Sequence, residues 1–349
     1  MLVLNVRRSK TLIHCGLKHN CFINSMTDII DSQCPSLAHI EGERILIFGG
    51  SGSLGTNTIK KWVPANTIIN VSRDEEKQWI LRNAVANSNL SQIVGDISNQ
   101  EDVINSILSS KPTIICIFAC LKHIDLCEKF PKKSVEINTN GVINVHNVLQ
   151  RFNTDVKTVL YVSTDKACLP ITTYGCSKAI AEFYVQGIKY DKTKWVSIRY
   201  GNVLNSSGSI LPYLQSNKDK DRVYTLTDEN MTRFIMTLDQ SVNLIEYALT
   251  YGKHNEIIVP LIKSMKIKEL FNIFCEKYSK QMTIIGLRCR EKIHEDLISV
   301  TEAKCSYINN GYVHITQSEQ KSSVAPLDSS MVLVDQSLLK SYLIGEGLI

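Results

Sequence analysis

Residues 44–55, Arg44-Ile-Leu-Ile-Phe-Gly-Gly-Ser-Gly-Ser-Leu-Gly55, run a β-branched strand straight into a glycine turn and then a helix. Glycines at 49, 52 and 55 let the backbone turn sharply, approach a pyrophosphate closely and pack the helix on the strand. The helix amino-terminus then offers unpaired N–H groups to the anion. A glycine trio alone also marks plain turns. Its position between a first strand and a first helix is what points to a dinucleotide.

Working outward, β-branched runs bounded by turns recur at residues 67–72, 114–119, 157–163, 195–199 and 256–259. Segments with helical spacing, such as 102–108 and 142–149, lie between most of them. Strands alternating with helices predict parallel β-α-β units, hence an α/β fold with a doubly wound parallel Rossmann sheet. After Tyr200 the rhythm loosens into Gly/Ser/Pro-rich loops and isolated helices, which predicts a smaller α/β substrate-binding lobe. The expected division is a flexible extension at 1–42 and a dinucleotide domain at 43–200, completed by about 234–260. The lobe takes 201–233 and 261–325, and a tail 326–349. The tail's Leu-rich stretch reads as a latch or an oligomer contact, and a homo-oligomer is expected.

Composition narrows the class without naming it. The 349 residues are 44% apolar and 21% charged with a net charge of +5, which excludes disordered and collagen-like chains. The longest apolar run, 114–121, is too short for a membrane span, and no membrane partner is expected. Eleven cysteines without a CxxC pair read as reduced thiols in a cytoplasmic protein, with no disulfide framework and no metal site. Arg7, Arg8, Lys10 and Lys18 precede the first acid, Asp28, so the start reads either as an organelle transit peptide or as an extension before a start at Met26.

The second strand ends Val71-Ser-Arg-Asp74. Ser72 and Arg73 can hold a ribose 2′-phosphate, the arginine by a bidentate fork, which favours NADP; Asp74 could instead contact a ribose. Asp96, followed by Ile97, can reach an adenine amine or cap a helix. Ser51, Ser53, Leu54 and Ala119 complete the expected cofactor contacts.

The reaction centre is expected where strand 157–162 ends in Ser163-Thr-Asp-Lys166, followed by Tyr174 and Lys178 on one helical face. The ammonium favours the phenolate, so Tyr174 can take a hydroxyl proton near neutrality. Tyr190 and Lys194 repeat the spacing without the strand end, so that pair is a decoy. Arg199, Asn202 and the loop 206–212 form one basic and polar cluster, and Arg233 with Arg288 and Glu291 forms another. Together they would neutralise a diphosphate. No aromatic interleaving suggests nucleic acid.

Residues 43–325 resemble the extended short-chain dehydrogenase/reductases, and within them the inverting UDP-N-acetylglucosamine 4,6-dehydratases. The matching motifs, in order, are the glycine turn (as G-x-x-G-x-x-G), Ser72-Arg-Asp-Glu75, Leu121-Lys-His123, Ser163-Thr-Asp-Lys-Ala167, Tyr174 with Lys178, Arg199-Tyr-Gly-Asn-Val203, Gly208-Ser-Ile-Leu-Pro212, Met231-Thr-Arg-Phe234 and Glu291-Lys-Ile-His-Glu295. Retaining relatives carry Asp-Glu where this chain has Asp165-Lys166. The resemblance implies a UDP-sugar substrate, contacts from Lys122, Asn202, Arg233, Arg288 and Glu291, and tightly bound NADP. The implied reaction is oxidation at C4, loss of water across C5–C6, hydride return to C6 and inversion at C5. It also implies that Tyr174, Lys178 and Thr164 deprotonate the C4 hydroxyl, with Lys166 as C5 base through a lowered pKa and Asp165 as acid at the C6 hydroxyl. Competing readings are an epimerase or 4-keto reductase, or a silent NADP sensor.

Three cysteines depart from the family pattern. Cys120, Cys168 and Cys176 stand near the catalytic turn, either as inert small thiols or as a point of oxidant sensitivity. The usual Pro-Gly before the late glutamate is replaced by Cys289-Arg290.

Overall fold

In strand β1 (Arg44–Phe48), Ile45 and Ile47 enter one hydrophobic core while Leu46 and Phe48 enter another. Side chains alternate along a strand, so a strand apolar at every position is buried on both faces. A sheet covered by helices on both sides follows. The computed structural model describes residues 39–189, 192–220, 223–320 and 324–349. The basic start, with Met26 and three cysteines, and Tyr190 lie outside them.

The other sheet strands are β2 (Thr67–Ser72), β3 (Leu90–Val94), β4 (Ile114–Ile117), β5 (Thr158–Val162), β6 (Lys194–Ile198), β7 (Glu256–Pro260), β8 (Ser306–Asn309) and β9 (Tyr312–Ile315). Their spatial order is β8-β9-β7-β6-β5-β4-β1-β2-β3, and the seven strands from β7 to β3 are parallel. The run 3-2-1-4-5-6 is the doubly wound Rossmann order, with its switch point between β1 and β4.

Helices α1 (Ser53–Trp62), α2 (Glu75–Val85), α3 (Gln100–Ser110), α4 (Gly141–Arg151), α5 (Thr173–Gly187) and α6 (Leu238–Tyr251) cover the sheet. Trp62 of α1 and Tyr247 of α6 bury on the face of Ile45; Val103 of α3, Val145 of α4 and Val185 of α5 bury on the face of Leu46. Local sequence starts these helices where the strands need to turn back. Asp74 caps α2 by accepting the Lys77 N–H, and Asn99 caps α3 by accepting from Glu101 and Asp102.

A third core gathers Leu211, Leu214, Tyr224, Phe271, Phe274, Leu339 and Leu343. Helices α7 (Ile267–Tyr278) and α8 (Gln336–Gly345) supply the last four of these, so the carboxyl tail packs into the lobe of its own chain. Residues 327–328 also pair with 296–298. The sequence reading groups residues 306–315 with the lobe, whereas the structure adds them to the main sheet as an antiparallel hairpin on β7. Asn310 and Gly311, both at positive φ, form its two-residue turn.

Candidate active site

The carboxyl ends of β1, β2, β4 and β5 open into one cleft of about 840 Å³. Every predicted cofactor residue lines it: Gly49, Ser51, Gly52, Ser53, Leu54, Gly55, Ser72, Arg73, Asp96, Ile97, Ala119, Tyr174 and Lys178. Gly49 has φ +88°, and a Cβ there would stand 2.6 Å from the Ala119 nitrogen. At Gly55 a Cβ would come within 2.3 Å of Gly50 Cα, so the helix touches the turn at a distance only glycine allows. Helix α1 has Gly52 at its N-cap position, with no side-chain cap and no acid in its first turn. Its amino-terminal N–H groups therefore face the cleft as an anion site.

At the end of β2, the buried Ser72 hydroxyl has no hydrogen-bond partner, and Arg73 stands exposed with its Nη1 3.4 Å from Asp96 Oδ2. Asp74 is occupied as the α2 cap and pairs with Lys77 Nζ at 2.7 Å. Asp96 does not cap a helix; it accepts from the Ser98 backbone and hydroxyl, and Asn99 caps instead. An orphaned hydroxyl, an exposed guanidinium with one distant acidic partner and an uncapped helix end fit a nicotinamide dinucleotide.

The candidate reactive end is built on the turn after β5. Thr164 caps the short turn Asp165–Ala167 and donates to Asp165 Oδ1 at 2.8 Å. Lys166 Nζ lies 3.1 Å from the same oxygen and 3.3 Å from Glu295 Oε1, while the buried Asp165 Oδ2 has no partner. Thr164, Asp165, Lys166, Tyr174 and Lys178 all line the cleft. Gly175 on α5 packs so closely on the Lys166 carbonyl that a Cβ would stand 2.2 Å away, which ties the helix carrying Tyr174 to the turn carrying Asp165 and Lys166.

Burial raises the Tyr174 phenol well above its usual value, with the Thr164 hydroxyl pulling the other way. The sequence expectation of a lowered phenol is thus not met, because desolvation outweighs the Thr164 hydrogen bond. Lys178 is pushed down to about 8 by burial; its Nζ donates to the Val162 carbonyl at 2.5 Å and lies 4.2 Å from the Tyr161 ring centre. Lys166 departs from expectation as well. Burial opposes its ammonium, but Asp165 and Glu295 outweigh burial, so its pKa is raised and not lowered.

Of the predicted substrate residues, Lys122 and Asn202 line the cleft. Lys122 Nζ donates to the Ser207 carbonyl at 2.5 Å, and burial lowers its pKa. Ser207 also bonds Ser53 at the start of α1, so the loop after β6 is tied to the glycine turn. Arg233, Arg288 and Glu291 do not line the cleft. The Arg233 guanidinium donates to the carbonyls of Thr232, Lys292 and Ile293, and Arg288 and Glu291 bond each other on the surface loop. Arg199 is also turned away. It is buried between Glu182 (2.6 Å) and Glu302 (2.7 Å), which join α5 to the segment after the lobe strands.

Cys120 lines the cleft, Cys168 is buried with its thiol raised by desolvation, and Cys176 is exposed. His123 is half of a packing contact: a Cβ on Gly208, at φ +73°, would stand 2.4 Å from its ring. Sequence reasoning assigns no role to Glu295, although its motif contains it. No helix among the described residues is long and apolar enough to cross a membrane.

Fold order, glycine turn and Tyr-Lys helix together define an extended short-chain dehydrogenase/reductase. The model of the polysaccharide biosynthesis protein family matches residues 45–317, and the chain belongs to that family. It is 34% identical over 287 residues to a UDP-glucose 4-epimerase of Rickettsia bellii, covering 77% of this chain and 81% of that one. It is 32% identical over 288 residues to the inverting UDP-N-acetylglucosamine 4,6-dehydratase of Campylobacter jejuni, covering 79% and 84%. Among solved structures, Pen from Bacillus thuringiensis superposes with a TM-score of 0.82 at 25% identity, covering 89% of this chain and all of that one.

Proposed function

We propose that this chain is an NADP-dependent UDP-N-acetylglucosamine 4,6-dehydratase that inverts C5. The observation that carries the reading is the Asp165–Lys166 pair, 3.1 Å apart and facing the same cleft as Tyr174 and Lys178. Oxidation and reduction at one carbon need a tyrosine and a bound nicotinamide. Removing water across a neighbouring bond needs a further base and acid, and the pair supplies them.

Gly49, Gly52, Gly55 and the start of α1 would hold the pyrophosphate, with Ser72 and Arg73 at the 2′-phosphate. Bound there, NADP supplies hydride acceptance and return. Tyr174 takes the C4 hydroxyl proton, and Lys178, one turn along the same helical face, stabilises the phenolate that results. The 4-ketone acidifies C5–H. Lys166 as amine removes that proton, and Asp165 as acid protonates the departing C6 hydroxyl. After hydride returns to C6, a solvent-derived proton delivered to the opposite face of C5 completes the inversion. The resting pair carries the proton on lysine instead. Transfer of that proton from Lys166 Nζ to Asp165 Oδ1 produces both the amine and the acid without changing net charge. A low-dielectric site closed by substrate favours the neutral pair. Lys122 and Asn202, which line the cleft, would contact the ligand, a UDP-sugar and not nucleic acid.

A 4-epimerase is the second reading, favoured by the Rickettsia relative. Epimerisation at C4 uses Tyr174, Thr164 and Lys178 but gives Asp165 and Lys166 no task. Mass spectrometry after incubation with UDP-N-acetylglucosamine separates the two. Loss of one water supports the dehydratase, and an isomer of unchanged mass supports the epimerase.

A further inference from the structure

Behind the cleft wall four charged side chains alternate in sign. Asp165 Oδ1 is 3.1 Å from Lys166 Nζ, Lys166 Nζ is 3.3 Å from Glu295 Oε1, and Glu295 Oε1 is 3.8 Å from Arg233 Nε. Asp165, Glu295 and Arg233 are each under 9% exposed. The first two members of the row face the cleft, whereas Glu295 and Arg233 do not.

We propose that Glu295 is a positioning residue that fixes Lys166 against Asp165 and biases the proton they share toward the lysine nitrogen. This rests on the dehydratase reading for its chemical purpose, though its geometry stands without it.

The fixing starts at the Glu295 backbone. Ser329 pins Glu295 from both sides, accepting the Glu295 N–H at its Oγ (2.9 Å) and donating its own N–H to the Glu295 carbonyl (2.8 Å). Arg233 is held by three backbone carbonyls, so it adds charge without reaching a ligand. Arg233 shares the Glu295 carboxylate and thereby limits the carboxylate's grip on Lys166. Of the other charged groups beside the turn, Lys292 and Asp296 pair at 2.9 Å, with Lys292 also donating to the Cys168 carbonyl, and Glu302 pairs with Arg199. Asp165, Glu295 and Arg233 thus set the Lys166 proton between them.

The consequence is a site in which Lys166 carries the proton before it passes to Asp165. The transfer then breaks an N–H bond on Lys166, forms an O–H bond on Asp165 and cancels two charges. Removing the Glu295 charge leaves the amine form more populated at every pH.

Competitive acetylation of the full-length protein with acetic anhydride, followed by mass spectrometry of the Lys166 peptide, reads that proton directly and needs no turnover. Each lysine is normalised to its own plateau, so the midpoint reports titration and not access. In the wild type the Lys166 midpoint is expected above that of free lysine, about 10.4. In Glu295→Gln it is expected to fall by about one pH unit or more, a tenfold rise in amine at a given pH. Glu295→Asp, which keeps the charge, is expected to restore most of the difference. A smaller fall, no change or a rise in Glu295→Gln overturns the proposal. If that variant does not fold, a wild-type midpoint at or below free lysine overturns it, and one above supports it. A wild type that dehydrates no UDP-sugar would refute the functional reading and leave the labelling result standing.

Discussion

Lys178→Met is expected to destroy activity and stabilise the fold, and the two effects have one cause. Lys178 is 2% exposed, and burial pushes it down from 10.5 to about 8. A depression of about 2.5 units corresponds to about 3 kcal/mol of unfavourable burial of the ammonium at neutral pH. Because the folded value is lowered, this cost is complete below pH 8. It fades as pH rises from 8 towards 10.5, where the unfolded chain also loses its proton. Methionine removes the cost but leaves the Val162 carbonyl without its donor, an offset of about 1 kcal/mol. The net gain is about 2 kcal/mol at pH 7. Turnover should fall by about 10²–10⁴-fold, because the phenolate of Tyr174 loses its cation. Urea titrations of dinucleotide-free protein at pH 7 and pH 9.5 measure the gap between variant and wild type. The gap should shrink at the higher pH as the wild type sheds its buried charge. A variant less stable than wild type at pH 7, or a gap indifferent to pH, would refute the reasoning.

Other outcomes follow from the same geometry. Tyr174→Phe should lower kcat/KM by about 10²–10⁴-fold, while Tyr190→Phe should leave it near the wild-type value, as steady-state kinetics would show. Arg73→Ala should weaken NADP binding by about 10–100-fold and leave NAD binding nearly unchanged, which calorimetric titration of both dinucleotides measures. Arg199→Met strands Glu182 and Glu302 beside a buried gap and should cost about 3–5 kcal/mol in denaturant unfolding, although no substrate contact is lost.

Much of this molecule was legible in the sequence where local chemistry decides it. The strands at 44–48, 67–72 and 256–260 and the helices around 102–108 and 142–149 form with shifts of no more than a few residues, because β-branched runs and helical spacing act locally. The glycine turn, Ser72, Arg73 and the Thr164–Lys178 constellation lie together in the cleft because strand ends of a doubly wound sheet converge.

What escaped depends on partners far along the chain. The hairpin at 306–315 joins β7 from a stretch that reads as lobe, although Asn310-Gly311 between two alternating runs signals a hairpin. Arg199 looks like a ligand for phosphate until Glu182 and Glu302 are seen to enclose it. Arg233 and Glu295 are 62 residues apart in number but share one ion pair, which no spacing rule reveals. The Lys166 pKa rises for the same reason, since its second carboxylate comes from residue 295.

Incubation of the purified protein with UDP-N-acetylglucosamine in D₂O tests the central claim at once. The predicted product has lost one water, carries deuterium at C5 and has the L-configuration there. An undehydrated product, or a dehydrated one that keeps the original C5 configuration, would contradict the roles given to Asp165 and Lys166.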